Sequence, residues 1–133
     1  MSTPFAHRPS CAVRFAPERL PCEFYDEYGY GLDDLNPYLS RFSKKQLVER
    51  YVRRDVTYLL GSSDTGSDDL DTSCFANAQG TNRFERGSAY AAYIRAFFPA
   101  AAHLQSVVSG VGHSSSKMFK SKQGVEALFP PGS

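Results

Sequence analysis

One pattern occurs twice in this sequence: a short apolar run, then a glycine, then a polar turn that carries an ionisable side chain. The first copy, residues 56–64, is Val-Thr-Tyr-Leu-Leu-Gly-Ser-Ser-Asp, and the second, residues 104–116, is Leu-Gln-Ser-Val-Val-Ser-Gly-Val-Gly-His-Ser-Ser-Ser. Short runs rich in β-branched and aromatic residues and bounded by glycine are typical of buried strands. The pattern predicts strands at residues 56–61 and 104–108, followed by loops that hold Asp64 and His113.

Helical patterns lie between and after these strands. Ser43 and Gln46 have the spacing of a capping box, which predicts a helix that begins there. A second helical pattern starts at Ser88 and ends before Pro99, and a third follows His113. Their apolar faces consist of Leu47, Val48, Tyr51 and Val52 in the first, Tyr90, Tyr93, Ile94 and Phe97 in the second, and Met118, Phe119, Val125, Leu128 and Phe129 in the third.

The order of these elements predicts an α/β fold. Residues 11–16 form a further strand pattern, so strands and helices alternate three times along the chain. Such alternation is typical of parallel strands that are joined by helical crossovers. We therefore expect about three parallel strands in one domain, residues 1–133, with a disordered tail at residues 130–133 where two prolines end the last helix.

Composition and charge narrow the functional class. Apolar residues make up 41% of the chain and charged residues 22%, which is typical of folded globular proteins. The formal net charge of +1 gives no support for nucleic-acid or anionic-membrane binding, and no apolar run approaches the roughly 18 residues of a bilayer span. The three cysteines lack a zinc-binding pattern, which leaves free thiols and a Cys22–Cys74 disulfide as alternatives.

Candidate catalytic side chains follow the two repeated strands. Open α/β sheets bind their ligands at the carboxyl ends of the strands. A carboxylate at that edge can orient a histidine ring and stabilise its protonated form. We expect Asp64 to orient His113 in this way, with Asp68 as the alternative acid. The sequence indicates no cofactor site and no metal site.

These features resemble the C-terminal part of the α/β-hydrolase superfamily, in its serine esterase and lipase branch. Residues 58–64 are similar to the strand end that carries the acid, and residues 110–113, with Met118 and Phe119, are similar to the histidine loop. Between them, Leu70-Asp71, Gln79-Gly80, Asn82-Arg83 and Arg86-Gly87 resemble the connecting segment. The resemblance covers roughly residues 9–129 and implies hydrolysis of a small-molecule ester or amide through an acyl-enzyme. It implies that His113 is the general base and acid of this reaction and that Asp64 orients it.

One hallmark of that superfamily is missing. The Gly-x-Ser-x-Gly sequence of a nucleophile elbow occurs nowhere in the 133 residues. The resemblance therefore implies a partial α/β-hydrolase domain that takes its nucleophile from upstream sequence and is inactive alone. The alternative is a non-catalytic binding protein derived from the same scaffold. In either case an open sheet edge would favour self-association.

Residues 22–54 combine a tyrosine-rich acidic segment with the basic first helix. The resemblance implies that an insertion at this point forms a lid or cap over the substrate. Tyr28, Tyr30 and Leu35 are then candidates to line a substrate pocket. A loop that packs on the core is the alternative, because tyrosine also suits half-buried surfaces.

Overall fold

The computed structural model describes residues 27–131. In chain order its elements are a short 3-10 helix (Leu39–Arg41), helix α1 (Lys44–Val52), strand β1 (Val56–Gly61), helices α2 (Cys74–Gln79) and α3 (Arg83–Phe97), strand β2 (His103–Val108), and helices α4 (Ser115–Lys120) and α5 (Lys122–Leu128). The predicted strand at residues 11–16 lies outside the described residues, as do residues 132 and 133 of the predicted tail.

Strands β1 and β2 form a parallel two-stranded sheet. Val56 pairs with His103 and Gly61 pairs with Val108, so both strands end at the same edge of the sheet. Helix α3 runs from the carboxyl end of β1 back to the amino end of β2, as a parallel crossover requires. The predicted α/β architecture is confirmed at this coarse level, with two of the three expected strands within the described residues.

Helix α1 begins where its capping box predicts. The Ser43 side chain accepts a hydrogen bond from the backbone N–H of Gln46, and the Gln46 side chain accepts one from the backbone N–H of Ser43. This reciprocal pairing satisfies two N–H groups at a helix start, where the first turn has no helical partners for them.

Helix α3 begins at Arg83 and not at the predicted Ser88. The Asn82 side chain caps the helix by accepting a hydrogen bond from the backbone N–H of Glu85 at 2.9 Å. Gly87, which resembles a helix breaker in the sequence, lies inside the helix and against Leu60 of β1. A Cβ at this position would lie 2.4 Å from Leu60 Cδ2, so the glycine allows α3 to pack closely on the sheet.

The buried core lies between α3 and the sheet. Two of the four residues in the predicted apolar stripe of α3, Tyr93 and Ile94, are each 3% exposed. Tyr90 is half-buried, and Phe97, at the end of the helix, is exposed. The other buried apolar residues in the described part of the chain are Ala76, Ala78, Ala91, Val108 and Val111.

The apolar pattern after His113 forms two short helices. Ser121 ends α4, and its side chain caps α5 by accepting a hydrogen bond from the backbone N–H of Gly124. Large apolar side chains on β2, on α4, on α5 and at the C-cap of α5 are exposed: Leu104, Phe119, Val125, Leu128 and Phe129. These residues do not contribute to the buried core, in contrast to the single apolar helix face that the spacing predicts.

Cys74, the first residue of α2, is exposed and disulfide-bonded. The other two cysteines of the chain lie outside the described residues. The free-thiol alternative is therefore wrong for Cys74.

Between residues 27 and 131, no helix is both long enough and apolar enough to cross a bilayer.

Candidate functional site

Asp64 and His113 meet at the carboxyl edge of the sheet. The Nδ1 atom of His113 lies 3.1 Å from Oδ2 of Asp64. Because an ionised carboxylate only accepts hydrogen bonds, Nδ1–H donates, and the Nε2 atom of the neutral ring carries a lone pair. The Asp64 side chain is 16% exposed and the His113 side chain 68% exposed. The acid of this acid–histidine pair is therefore shielded, while the ring is open to an incoming group.

Backbone hydrogen bonds hold the two loops together. The N–H of Ser62 donates to the carbonyl of Val108, and the N–H of Ser63 donates to the carbonyl of Val111, each at 3.0 Å. Gly61 allows this close approach, because a Cβ there would lie only 2.2 Å from the Val111 carbonyl oxygen. The acid loop (residues 62–73) and the histidine loop (residues 109–114) are thus joined directly beyond the strand ends.

The Asp64 carboxylate has a second partner on its other oxygen. The Nη1 atom of Arg83 lies 3.7 Å from Oδ1 of Asp64, and Nη2 of the same guanidinium donates to the carbonyl of Asp68 at 2.8 Å. The backbone N–H of Phe84, in the first turn of α3, donates to the Asp64 carbonyl at 3.2 Å. Arg83 and the first turn of α3 therefore both contact Asp64, one at its side chain and the other at its backbone.

The alternative acid, Asp68, takes a different part in this loop. Its backbone carbonyl accepts the Arg83 hydrogen bond and its side chain is exposed. Within residues 27–131, the hydrogen-bond partner of His113 is Asp64. The structure therefore brings Asp64, and not Asp68, to the histidine.

Further along the acid loop, Asp71 is held by several donors. Its carboxylate accepts hydrogen bonds from the Tyr30 hydroxyl and from the Ser73 backbone N–H, the latter at 2.8 Å. The Ser73 backbone and then its side chain, with a smaller contribution from the positive Arg86, lower the pKa of Asp71 below its ordinary value of 3.8. Nη2 of Arg86 also donates to the Asp71 carbonyl at 2.7 Å, which fixes the end of the loop to α3.

A cavity of about 510 Å³ lies between α1, the second half of α3 and the segment that precedes α1. Tyr28 and Tyr30, two candidates for a substrate pocket, line it together with α1 and the second half of α3; Leu35, the third candidate, is not among the lining residues. Asp64 and His113 do not line it either. The described part of residues 22–54 forms one wall of that cavity. No hydrogen bond or ring contact joins this part of the chain to His113.

A second histidine network, which no sequence pattern indicates, involves His103, Tyr58 and Tyr51. Tyr58 Oη lies 2.7 Å from Nδ1 of His103, and Nε2 of that ring lies 3.2 Å from the carbonyl oxygen of Tyr51. A carbonyl only accepts, so Nε2–H donates, and in the tautomer with its proton on Nε2 the Nδ1 atom accepts a hydrogen bond from the Tyr58 hydroxyl. The Tyr51 hydroxyl completes the network at 2.7 Å from Tyr58 Oη. Both ring nitrogens are engaged, which is typical of a structural histidine.

No group of three or more His, Cys, Asp or Glu side chains within residues 27–131 is arranged to hold a metal ion.

Comparison of the chain with protein-family models, with curated proteins and with solved structures finds no match. The resemblance to α/β-hydrolases therefore depends on the sequence motifs and on the geometry of the strand-end loops, and it remains a hypothesis.

Proposed function

We propose that this chain is the C-terminal part of a serine hydrolase with a partial α/β-hydrolase fold, which cleaves a small-molecule ester or amide. His113 is its general base and acid, and Asp64 orients the ring. The observation that supports this proposal most directly is the 3.1 Å contact between His113 Nδ1 and Asp64 Oδ2 at the carboxyl ends of adjacent parallel strands. This contact has the geometry of the acid–histidine half of a catalytic triad.

The acid–histidine pair has the chemistry that a proton shuttle needs. Asp64 accepts a hydrogen bond from Nδ1–H and so leaves the Nε2 lone pair available to remove a proton from a serine hydroxyl. The imidazolium that results lies against the carboxylate, which offsets its charge, and Nε2 then returns the proton to the leaving alcohol or amine. In the second half of the cycle the same ring activates water to release the acyl group.

The attacking serine and the oxyanion donors would come from sequence outside these 133 residues, because the chain has no nucleophile elbow. In a well-studied triad enzyme, loss of the nucleophile alone lowers kcat by about six orders of magnitude. The isolated 133-residue chain should therefore hydrolyse esters no faster than buffer with free imidazole.

A fluorophosphonate probe, which reacts with activated serines, tests this proposal. The probe is applied to the purified 133-residue chain and to the polypeptide that an antibody against residues 27–131 captures from its native source. We expect a labelled serine, outside this sequence, in the native polypeptide and none in the isolated chain. Labelling of the isolated chain at Ser62, Ser63, Ser109 or Ser114, or a native polypeptide that carries no label, would contradict the proposal.

A second candidate is a non-catalytic binding protein that keeps the scaffold without the chemistry. The exposed apolar residues of β2, α4, α5 and the C-cap of α5, including Leu104 and Phe129 at 66% and 72% exposure, favour it because such side chains are common at contact surfaces. Purification of the native polypeptide, followed by the fluorophosphonate test, separates the candidates. A stable stoichiometric partner in a complex that carries no label supports the binding protein, and a labelled native polypeptide supports the hydrolase.

A further inference from the structure

The cavity between α1 and α3 is spatially separate from the acid–histidine pair. At a rise of 1.5 Å per residue along a helix, Tyr90 lies about 10 Å and Tyr93 about 15 Å from Arg83, which contacts Asp64. Both tyrosines line the cavity, and neither member of the acid–histidine pair does. Its volume of about 510 Å³ falls within the range of about 300 to 1,000 Å³ that is typical of small-molecule sites.

Aromatic rings and aliphatic side chains form the cavity wall. The lining residues include five tyrosines and several leucines and valines, and none of the lining residues carries a formal charge. The hydroxyl of Tyr30 donates to Asp71, and that of Tyr51 is bound to the Tyr58 hydroxyl. With these hydroxyls engaged elsewhere, Tyr30 and Tyr51 contribute their ring surfaces to the wall.

We propose that this cavity binds a neutral, largely apolar small molecule with an aromatic or short alkyl body. A carboxylate or ammonium group inside it would lose its hydration without gaining an opposite charge, and such burial is strongly unfavourable. Flat rings, in contrast, can stack on or meet the edges of the tyrosine rings. This binding site is independent of the proposed hydrolase chemistry and would persist if the acid–histidine pair had no catalytic role.

A pair of ligands with the same skeleton tests the proposal in the full 133-residue chain. The neutral probe is 2-naphthalenemethanol and the charged probe is 2-naphthoate, each titrated near pH 7 while amide chemical shifts are followed by NMR. We expect the alcohol to cause saturable changes in the amide chemical shifts of α1 and the second half of α3. The carboxylate should bind more weakly than the alcohol, by roughly tenfold or more. Absence of saturable binding by the alcohol, or equal affinity for both probes, would overturn the proposal.

A matched pair of variants shows whether binding occurs in the cavity. Val48→Trp introduces a large side chain at a half-buried lining position of α1, and Leu128→Trp introduces the same side chain at an exposed position of α5. We expect Val48→Trp to weaken alcohol binding by roughly tenfold or more and Leu128→Trp to leave it unchanged. Retained amide dispersion verifies that each variant is folded. Unchanged binding in a folded Val48→Trp variant would also overturn the proposal.

Discussion

Arg83 lies against the carboxylate oxygen of Asp64 that faces away from the histidine, with Nη1 3.7 Å from Oδ1. His113 occupies the other oxygen at 3.1 Å, so the acid is held from both sides. The same guanidinium donates to the Asp68 carbonyl and therefore fixes the loop as well as the charge. We infer that Arg83 positions Asp64, and that the histidine depends on it indirectly.

Replacement of Arg83 by glutamine should loosen the acid loop without affecting the sheet. We expect the variant to lose about 1 kcal/mol of unfolding free energy, since one charged contact and one hydrogen bond to a carbonyl are removed. Amide hydrogen exchange should accelerate between residues 64 and 71. Arg95→Gln, at an exposed position whose guanidinium contacts Gln105, is the control and should leave exchange in the loop unchanged. Equal exchange in the two variants would show that Arg83 does not hold the loop.

The meeting of Asp64 and His113 could be predicted from the sequence because it follows from topology. Both residues come shortly after apolar runs that end in glycine, and parallel strands place their carboxyl ends at one edge. The order of patterns along the chain is therefore enough to expect the contact. Sequence alone could not decide between Asp64 and Asp68, because that choice depends on Arg83. The Arg83 guanidinium contacts the carboxylate of Asp64, whereas it donates a hydrogen bond to the backbone carbonyl of Asp68.

Gly61 should be the least replaceable glycine at the strand ends. In Gly61→Ala the new Cβ would lie 2.2 Å from a backbone oxygen, which cannot move aside as a side chain can. We expect a loss of roughly 2 kcal/mol or more in unfolding free energy, measured by urea denaturation. Gly66→Ala is the matched control, because a Cβ there has no atom within 4 Å, and it should be neutral or slightly stabilising. Similar midpoints for both variants would refute the close approach of the two loops.

The tyrosine–histidine network at the other end of the sheet should contribute measurably to stability. Tyr58→Phe removes one hydroxyl but leaves the Tyr51 hydroxyl and His103 Nδ1 without their partner in a half-buried site. We expect this variant to lose about 1 to 3 kcal/mol of unfolding free energy. Tyr38→Phe, at a position that is 66% exposed, is the control and should change stability by less than about 0.5 kcal/mol. An equally small change at Tyr58 would show that the network is energetically unimportant.

Asp71 should make stability depend on pH in the acid range. The pKa of Asp71 is lower in the folded chain than its ordinary value of 3.8. Ionised Asp71 therefore stabilises the folded state at pH values above 3.8. This contribution is lost as the pH falls through the lowered pKa. The stability gap between the unmodified chain and Asp71→Asn should therefore be constant near neutrality and shrink below about pH 4. Urea midpoints between pH 2.5 and pH 7 measure it, with the exposed Asp55→Asn as control. A gap that widens on acidification would contradict the predicted sign.

Other features of the fold depend on contacts that no local pattern records. The low helix propensity of glycine favours a helix boundary at Gly87. The close approach of Gly87 to Leu60 of β1 explains why α3 continues through this position. His103 follows a turn and would be expected in solvent, but its strand register places Tyr58 within hydrogen-bond reach. The apolar spacing after His113 predicts one buried helix face, whereas Ser121 divides that segment and leaves Phe119 and Phe129 exposed.

The tautomer of His113 tests the central claim most directly. Long-range 1H–15N NMR spectra are recorded at about pH 8.5, where an ordinary imidazole is neutral, for the unmodified chain and for Asp64→Asn. We predict a proton on Nδ1 and a bare Nε2 in the unmodified chain. In the variant this uniform preference should be lost, because the side-chain amide that replaces the carboxylate can donate as well as accept. A proton on Nε2 in the unmodified chain, or the same tautomer in both proteins, would contradict this prediction.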